Sequence, residues 1–131
     1  MIIGCGIDLV NIDRLKSIIK KWDVRFLKRV YTEQEISYCE NKNKNRYQSY
    51  AGFFAAKEAW VKALGTGFRH IQWKEIEVRK NYLGKPIIHL SERITKIAKK
   101  RHINSTHLCI SHTKHLAIAQ VTIENTDNKL F

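Results

Sequence analysis

Asp8 lies near the end of an apolar stretch, IIGCGIDLV, and Glu58 sits inside the alanine- and aromatic-rich segment YQSYAGFFAAKEAWVKAL. A plain reading makes Asp8 a turn or cap residue and pairs Glu58 with Lys62 four residues on. A sharper reading is a hard-metal site. Mg²⁺ takes one or two protein carboxylates and fills its other positions with water and phosphate oxygens, so an Asp/Glu pair beside a lysine suits an enzyme that handles phosphate. Gly65-Thr66-Gly67 follows that segment directly. It can end a helix, or it can turn backbone N–H groups towards a phosphate.

Other patterns carry less. Gly4-Cys5-Gly6 begins like a dinucleotide fingerprint, but Leu9 stands where the third glycine is needed, which excludes that reading. His107, Cys109, His112 and His115 lie close enough in sequence to suggest zinc. Strand alternation puts His107 and Cys109 on one face while His112 and His115 flank a turn, so the four should not converge. Ser111 and His112 are neighbours on a strand and point to opposite faces, which argues against a nucleophile–base pair and for contact with phosphate.

These residues need elements to position them. IIGCGIDLV reads as a buried strand whose glycines mark close approach by a neighbouring backbone. Asn11 caps a helix with Ile12, Leu15 and Ile19 on one face; if it continues past Trp22, Arg14, Lys21 and Arg25 gather on another, with Ile18 beside them. Thr32 and Glu35 form a capping box for TEQEISYCE, and NKNKNR is a polar loop or helix end. Residues 47–64 have the spacing of a long helix ended by Gly65-Thr66-Gly67. KEIEVRK (74–80) and PIIHL make a hairpin around Gly84, Ser91 caps SERITKIAKKRH, and THLCISH with HLAIAQVTIE makes a second hairpin turning at Thr113-Lys114. Strand, helices, hairpin, helix, hairpin is an α+β order, not a doubly wound one.

With 131 residues the chain has the length of one domain, expected over 1–125 with a frayed tail at 126–131. It carries 24 Lys+Arg against 12 Asp+Glu, a formal charge of +12, so acidic partners are expected. Basic residues concentrate at 14–29 and 96–101, where nucleic acid is one candidate and a solvated face another. An aliphatic Ile18 among cations favours an acidic amphipathic helix, and no RNA-binding signature is present. There is no apolar run of about 20 residues and no basic region before the first apolar stretch, so neither a membrane span nor a secretory leader is expected. The three cysteines are read as reduced thiols and the location as cytoplasmic.

GIDLVNIDR, FAAKEAWVKALGTGF, LGKP and CISHTKHLAIAQVTIE, in this order and spacing from about residue 2 to 124, resemble the holo-acyl-carrier-protein synthases, the short bacterial branch of the 4′-phosphopantetheinyl transferases. The resemblance implies a compact α+β domain with a long helix packed on an antiparallel sheet, assembling as a homotrimer with active sites at the subunit boundaries. It implies Mg²⁺-dependent transfer of the 4′-phosphopantetheine of coenzyme A to a serine of apo-acyl carrier protein, in fatty acid biosynthesis. It further implies Asp8 and Glu58 as metal ligands, Glu58 and Lys62 as catalytic residues, and Gly65, Thr66, Gly67, Lys85, Pro86, Ser111 and His112 near coenzyme A. Arg14, Ile18, Lys21 and Arg25 are then the docking groups for the acidic carrier. One departure is Phe53, where many members carry an arginine expected near the nucleotide end of coenzyme A; Lys42, Lys44 or Arg46 is expected to replace its charge.

Overall fold

The computed structural model describes residues 1–127. In chain order the elements are β1 (Ile2–Asn11), α1 (Ile12–Trp22), α2 (Val24–Val30), α3 (Glu33–Glu40), α4 (Arg46–Leu64), β2 (Ile76–Lys80), β3 (Pro86–Leu90), α5 (Glu92–Lys100), β4 (Ser105–His112) and β5 (Leu116–Glu124), with 3₁₀ turns at Asn43–Asn45 and Trp73–Glu75. This is the α+β class expected from the element order.

Helix α4 is the axis of the fold. Tyr50, Phe53, Ala55, Ala56, Ala59, Trp60, Val61 and Leu64 bury nearly its whole circumference, as expected of a helix that is apolar all round. It touches α1, α3, β1, β2, β4 and β5. The sheet beneath it is antiparallel in the order β1-β5-β4, with Asp8 opposite Ala119 and Ala119 opposite Ile110. Ala117, Ala119, Val121 and Ile123 of β5 point into the core. The small hairpin β2-β3 forms a second sheet.

The glycines of β1 bring strand and helix into backbone contact. A Cβ on Gly4 would lie 2.2 Å from the carbonyl oxygen of Ala63, and one on Gly6 would lie 1.9 Å from that of Ala59. No L side chain fits there, so β1 runs directly against two successive turns of α4. The opposite face of β1 is open, with Ile3, Cys5, Ile7 and Leu9 all exposed.

The predicted caps form: Asn11 accepts from the Arg14 N–H at 3.0 Å, Thr32 and Glu35 make the reciprocal box, and Ser91 accepts from the Ile94 N–H at 3.2 Å. Three local expectations are corrected. The first helix does not run past Trp22; Asp23 takes φ 45° and α2 starts afresh at Val24, so Arg25 sits on a separate helix. The strand expected from residue 74 begins at Ile76, because Glu75 folds back to accept from the Gln72 N–H at 3.0 Å and closes a 3₁₀ turn. The tail is tied at its start, where the Thr126 N–H donates to Asn104 Oδ1 at 3.0 Å; residues 128–131 lie outside the described residues.

Candidate active site

Asp8 points from β1 towards α4, where Glu58 and Lys62 share one flank a turn apart. Lys62 Nζ donates to Asp8 Oδ1 at 2.9 Å and to the Ile7 carbonyl at 3.2 Å. The lysine therefore pairs with the strand, not with Glu58 on its own helix, which corrects the plain i,i+4 reading. Glu58 lies against Asp8 and borders a cavity of about 240 Å³ with Asp8, Arg14, Ile18 and Phe54. Burial, and next the charge of Asp8, hold the Glu58 carboxyl above its ordinary range, with Lys62 opposing. The bond to Asp8 raises the Lys62 ammonium in turn.

Two carboxylates thus face one exposed ammonium, leaving net negative charge and free oxygen lone pairs at the mouth of a cavity. That donor set is hard and incomplete, which fits Mg²⁺ completed by water and phosphate oxygens better than a closed all-protein site. Among the described residues no group of three or more His, Cys, Asp and Glu can hold a metal ion. The His and Cys cluster of the last hairpin is divided: His107 Nε2 lies 2.6 Å from Glu124 Oε1, His115 Nδ1 lies 2.9 Å from Asp13 Oδ2, and His112 Nδ1 lies 3.3 Å from the Thr113 carbonyl.

The predicted coenzyme A residues fall in separate places. Gly65 ends α4 at φ 85° and, with Thr66, borders a cavity of about 690 Å³ shared with Arg69, His70 and Arg101, while Gly67 follows at φ 65°. Arg101 also donates to the Leu64 carbonyl at 3.0 Å, satisfying an orphan acceptor at the end of the helix. Lys85 and Pro86 lie at the β2-β3 turn, shaped by Asn81 and Gly84. Ser111 and His112 end β4.

His112 borders a cavity of about 280 Å³ with Tyr38, Lys42, Phe53 and Lys80. Phe53 stacks on Tyr38 at 5.4 Å, with Lys42 over the Tyr38 ring at 4.8 Å and Lys80 over both rings. Of the three cations expected to replace the missing arginine, only Lys42 borders this cavity; Arg46 donates to the Asn43 carbonyl and lies beside Glu40. Lys80, which sequence reading missed, stands there too.

Two of the four expected docking residues open onto the carboxylate pair. Arg14 and Ile18 border the Glu58 cavity, and Ile18 also borders a second one, about 380 Å³, with Trp22, Arg25, Phe26 and Arg29. Ile18 is the residue they share. Lys21 instead stacks its ammonium over Trp22 at 5.2 Å.

The model of the 4′-phosphopantetheinyl transferase superfamily matches residues 4–121, nearly the entire chain. The chain belongs to that family. It is 48% identical over 124 residues to the holo-[acyl-carrier-protein] synthase of Halothermothrix orenii, covering 95% of this chain and 98% of the relative. The crystal structure of the synthase from Neisseria meningitidis superposes with a TM-score of 0.89 at 31% identity, covering 95% of this chain and 100% of the other. The Helicobacter pylori synthase, solved in complex with coenzyme A, gives a TM-score of 0.81 at 35% identity, with coverage of 92% and 99%.

Lys57, the residue before Glu58, was also missed. Its Nζ donates to Glu35 Oε1 at 2.7 Å, the Val30 carbonyl at 2.9 Å and the Trp73 carbonyl at 3.1 Å, with both side chains fully buried. A signal was present: Lys57 falls in the apolar series Tyr50, Phe53, Trp60, Leu64, where a cation needs a buried partner.

Proposed function

We propose that this chain is a holo-[acyl-carrier-protein] synthase: it transfers 4′-phosphopantetheine from coenzyme A to a serine of an apo-acyl carrier protein and releases adenosine 3′,5′-bisphosphate. The observation that carries this reading is the meeting of Asp8, Glu58 and Lys62 beside a cavity that continues, through Ile18, into a cation-lined apolar surface. An enzyme joining an anionic small molecule to an acidic protein needs such a continuity.

Asp8 and Glu58 would hold Mg²⁺. When bound, the metal supplies charge neutralisation at the pyrophosphate oxygens and at the phosphate that leaves. Lys62 places a further positive charge at the same point and keeps Asp8 turned inwards. The serine oxygen forms its bond to the phosphorus that carries pantetheine as the bond to the departing phosphate breaks. The serine proton needs an acceptor, and Glu58, on the cavity beside Asp8, is assigned that role. Gly65, Thr66 and Gly67 are assigned to the phosphates. Arg14, Lys21 and Arg25, with Ile18 between them, are assigned to the acidic carrier.

Lys85, Pro86, Ser111 and His112 are assigned to the nucleotide end, together with Lys42 and Lys80 in place of the family arginine. Of these, Lys42, Lys80 and His112 border a different cavity from Glu58, so the reading includes a homotrimer in which a neighbouring subunit completes each site. The exposed Ile3, Ile7, Leu9 and Leu116 on one face of the three-stranded sheet supply an apolar surface for that assembly. A cytoplasmic location belongs to the same reading, supported by three free thiols, two of them exposed. No helix among the described residues is long and apolar enough to cross a membrane.

The test is intact-mass spectrometry of apo-acyl carrier protein incubated with the chain, coenzyme A and Mg²⁺, beside an EDTA control. One added phosphopantetheinyl group, absent with EDTA, is the expected result. No addition with several apo-carriers overturns the reading.

A further inference from the structure

The buried Lys57 ammonium reaches towards the coenzyme A loop through one residue. Its bond to the Trp73 carbonyl fixes the 3₁₀ turn Trp73–Glu75, and the Trp73 ring then stacks on two partners. Phe54 of α4 lies at 4.7 Å and 27°, and Phe68 lies at 3.9 Å and 26°. Phe54 is four residues before Glu58 on the same flank of α4 and borders its cavity; Phe68 follows Gly67 directly. A continuous aromatic row therefore joins the helix carrying Glu58 to the loop that follows it.

The loop has little else to hold it. Gly65 and Gly67 take positive φ, and a Cβ at either would meet nothing within 4 Å. The Ile71 N–H reaches the Phe68 carbonyl only at 3.5 Å, and the Thr66 hydroxyl donates to the adjacent Gly67 carbonyl. Arg93 donates to the His70 carbonyl at the far end. Arg101 holds the Leu64 carbonyl on the Gly65 side, and Phe68 is the side-chain anchor on the Gly67 side.

We infer that Trp73 is a positioning residue: oriented by Lys57, it clamps Phe68 and so sets the Gly65–Gly67 backbone at a fixed place relative to Glu58. The inference rests on the proposed assignment of that loop to coenzyme A. Trp73 itself does not touch the substrate. Its removal lets the loop sample other conformations, so the substrate must bear the ordering cost on binding.

The experiment compares Trp73→Leu, Phe68→Leu, the double variant and Trp73→Phe in steady-state transfer to a carrier protein, with melting temperature alongside. For each leucine variant the Michaelis constant for coenzyme A rises about three- to tenfold, as expected for the loss of the Trp73–Phe68 stack that both remove, with kcat within about twofold of the parent. Trp73→Phe restores most of the affinity. The double variant is no worse than Trp73→Leu alone, because Trp73→Leu already removes the stack that Phe68→Leu removes. An unchanged Michaelis constant, a fall in kcat alone that tracks the melting temperature, or additive losses would each overturn the inference. Should Trp73→Leu fail to fold, Phe68→Leu carries the same expectation and the same refutation. A parent chain that transfers nothing removes the proposed function, and this inference with it; an active parent whose variants keep their affinity removes the inference alone.

Discussion

Lys57 and Glu58 are consecutive residues of one helix, yet they serve opposite flanks with opposite chemistry. On the Lys57 flank everything is closed. The ammonium has three acceptors, Glu35 Oε1 also accepts from the Thr32 N–H at 2.8 Å, and Glu35 Oε2 accepts from the Val78 N–H at 2.8 Å. On the Glu58 flank two carboxylates share one lysine that is half exposed, and the cavity beside them is open. A satisfied buried pair fixes geometry and has no capacity left for a ligand; an unbalanced, reachable cluster keeps capacity for one. Burial of charge alone does not mark a reacting site. Incomplete satisfaction is what leaves room for a ligand.

Changing each flank separately tests this contrast. The largest effect is expected from Lys57→Met, which leaves the Glu35 carboxylate buried without its cation and costs about 3–5 kcal/mol, lowering the melting temperature by roughly 10–20 °C. Calorimetry checks it; a loss below about 1 kcal/mol breaks the contrast. Next, Asp8→Asn and Glu58→Gln should each reduce transfer at least about a hundredfold by intact-mass assay without a large fall in melting temperature, and Glu58→Gln should raise it slightly near neutral pH by removing a carboxylate whose ionisation opposes folding. Third, Lys62→Met, chemically the same change as at Lys57, should alter stability by less than about 1 kcal/mol and slow transfer about tenfold.

The smallest effect concerns pH. Because Glu58 is held above the ordinary glutamate range, its ionisation disfavours the folded state, so its contribution is favourable below the unfolded pKa and is lost as pH rises through the folded one. Added Mg²⁺ should raise the melting temperature more above that pH than below it. The same titration should slow transfer as pH falls through it. Glu58→Gln should flatten the difference between melting curves taken with and without Mg²⁺, and a persistent difference would move the cation elsewhere.

How far the sequence reached follows the range of the forces involved. Caps, hairpin turns and the long helix are set by neighbours within a few residues, and Asn11, Thr32, Glu35, Ser91 and Gly84 announced them. Asp8 and Glu58 were legible because a carboxylate in an apolar setting needs a reason. The break at Asp23 was not, since no Pro or Gly marks it; its positive φ falls between two helices that pack on each other. Glu35 was read as half of a capping box, which it is, but its second task depends on Lys57 and Val78, 22 and 43 positions away. Trp73 escaped for the same reason: its stacking partners come from α4 and from the loop after it.

The absence of side chains at Gly4 and Gly6 has a further consequence. Where β1 meets α4, main chain rests on main chain, so the gap between the strand bearing Asp8 and the helix bearing Glu58 contains no rotamer to change and no volume to trade. Substitutions elsewhere in the interior can alter how layers fill without altering that gap. The separation of the two acids is thereby insulated from ordinary drift in the core, as a ruler cut from the backbone itself.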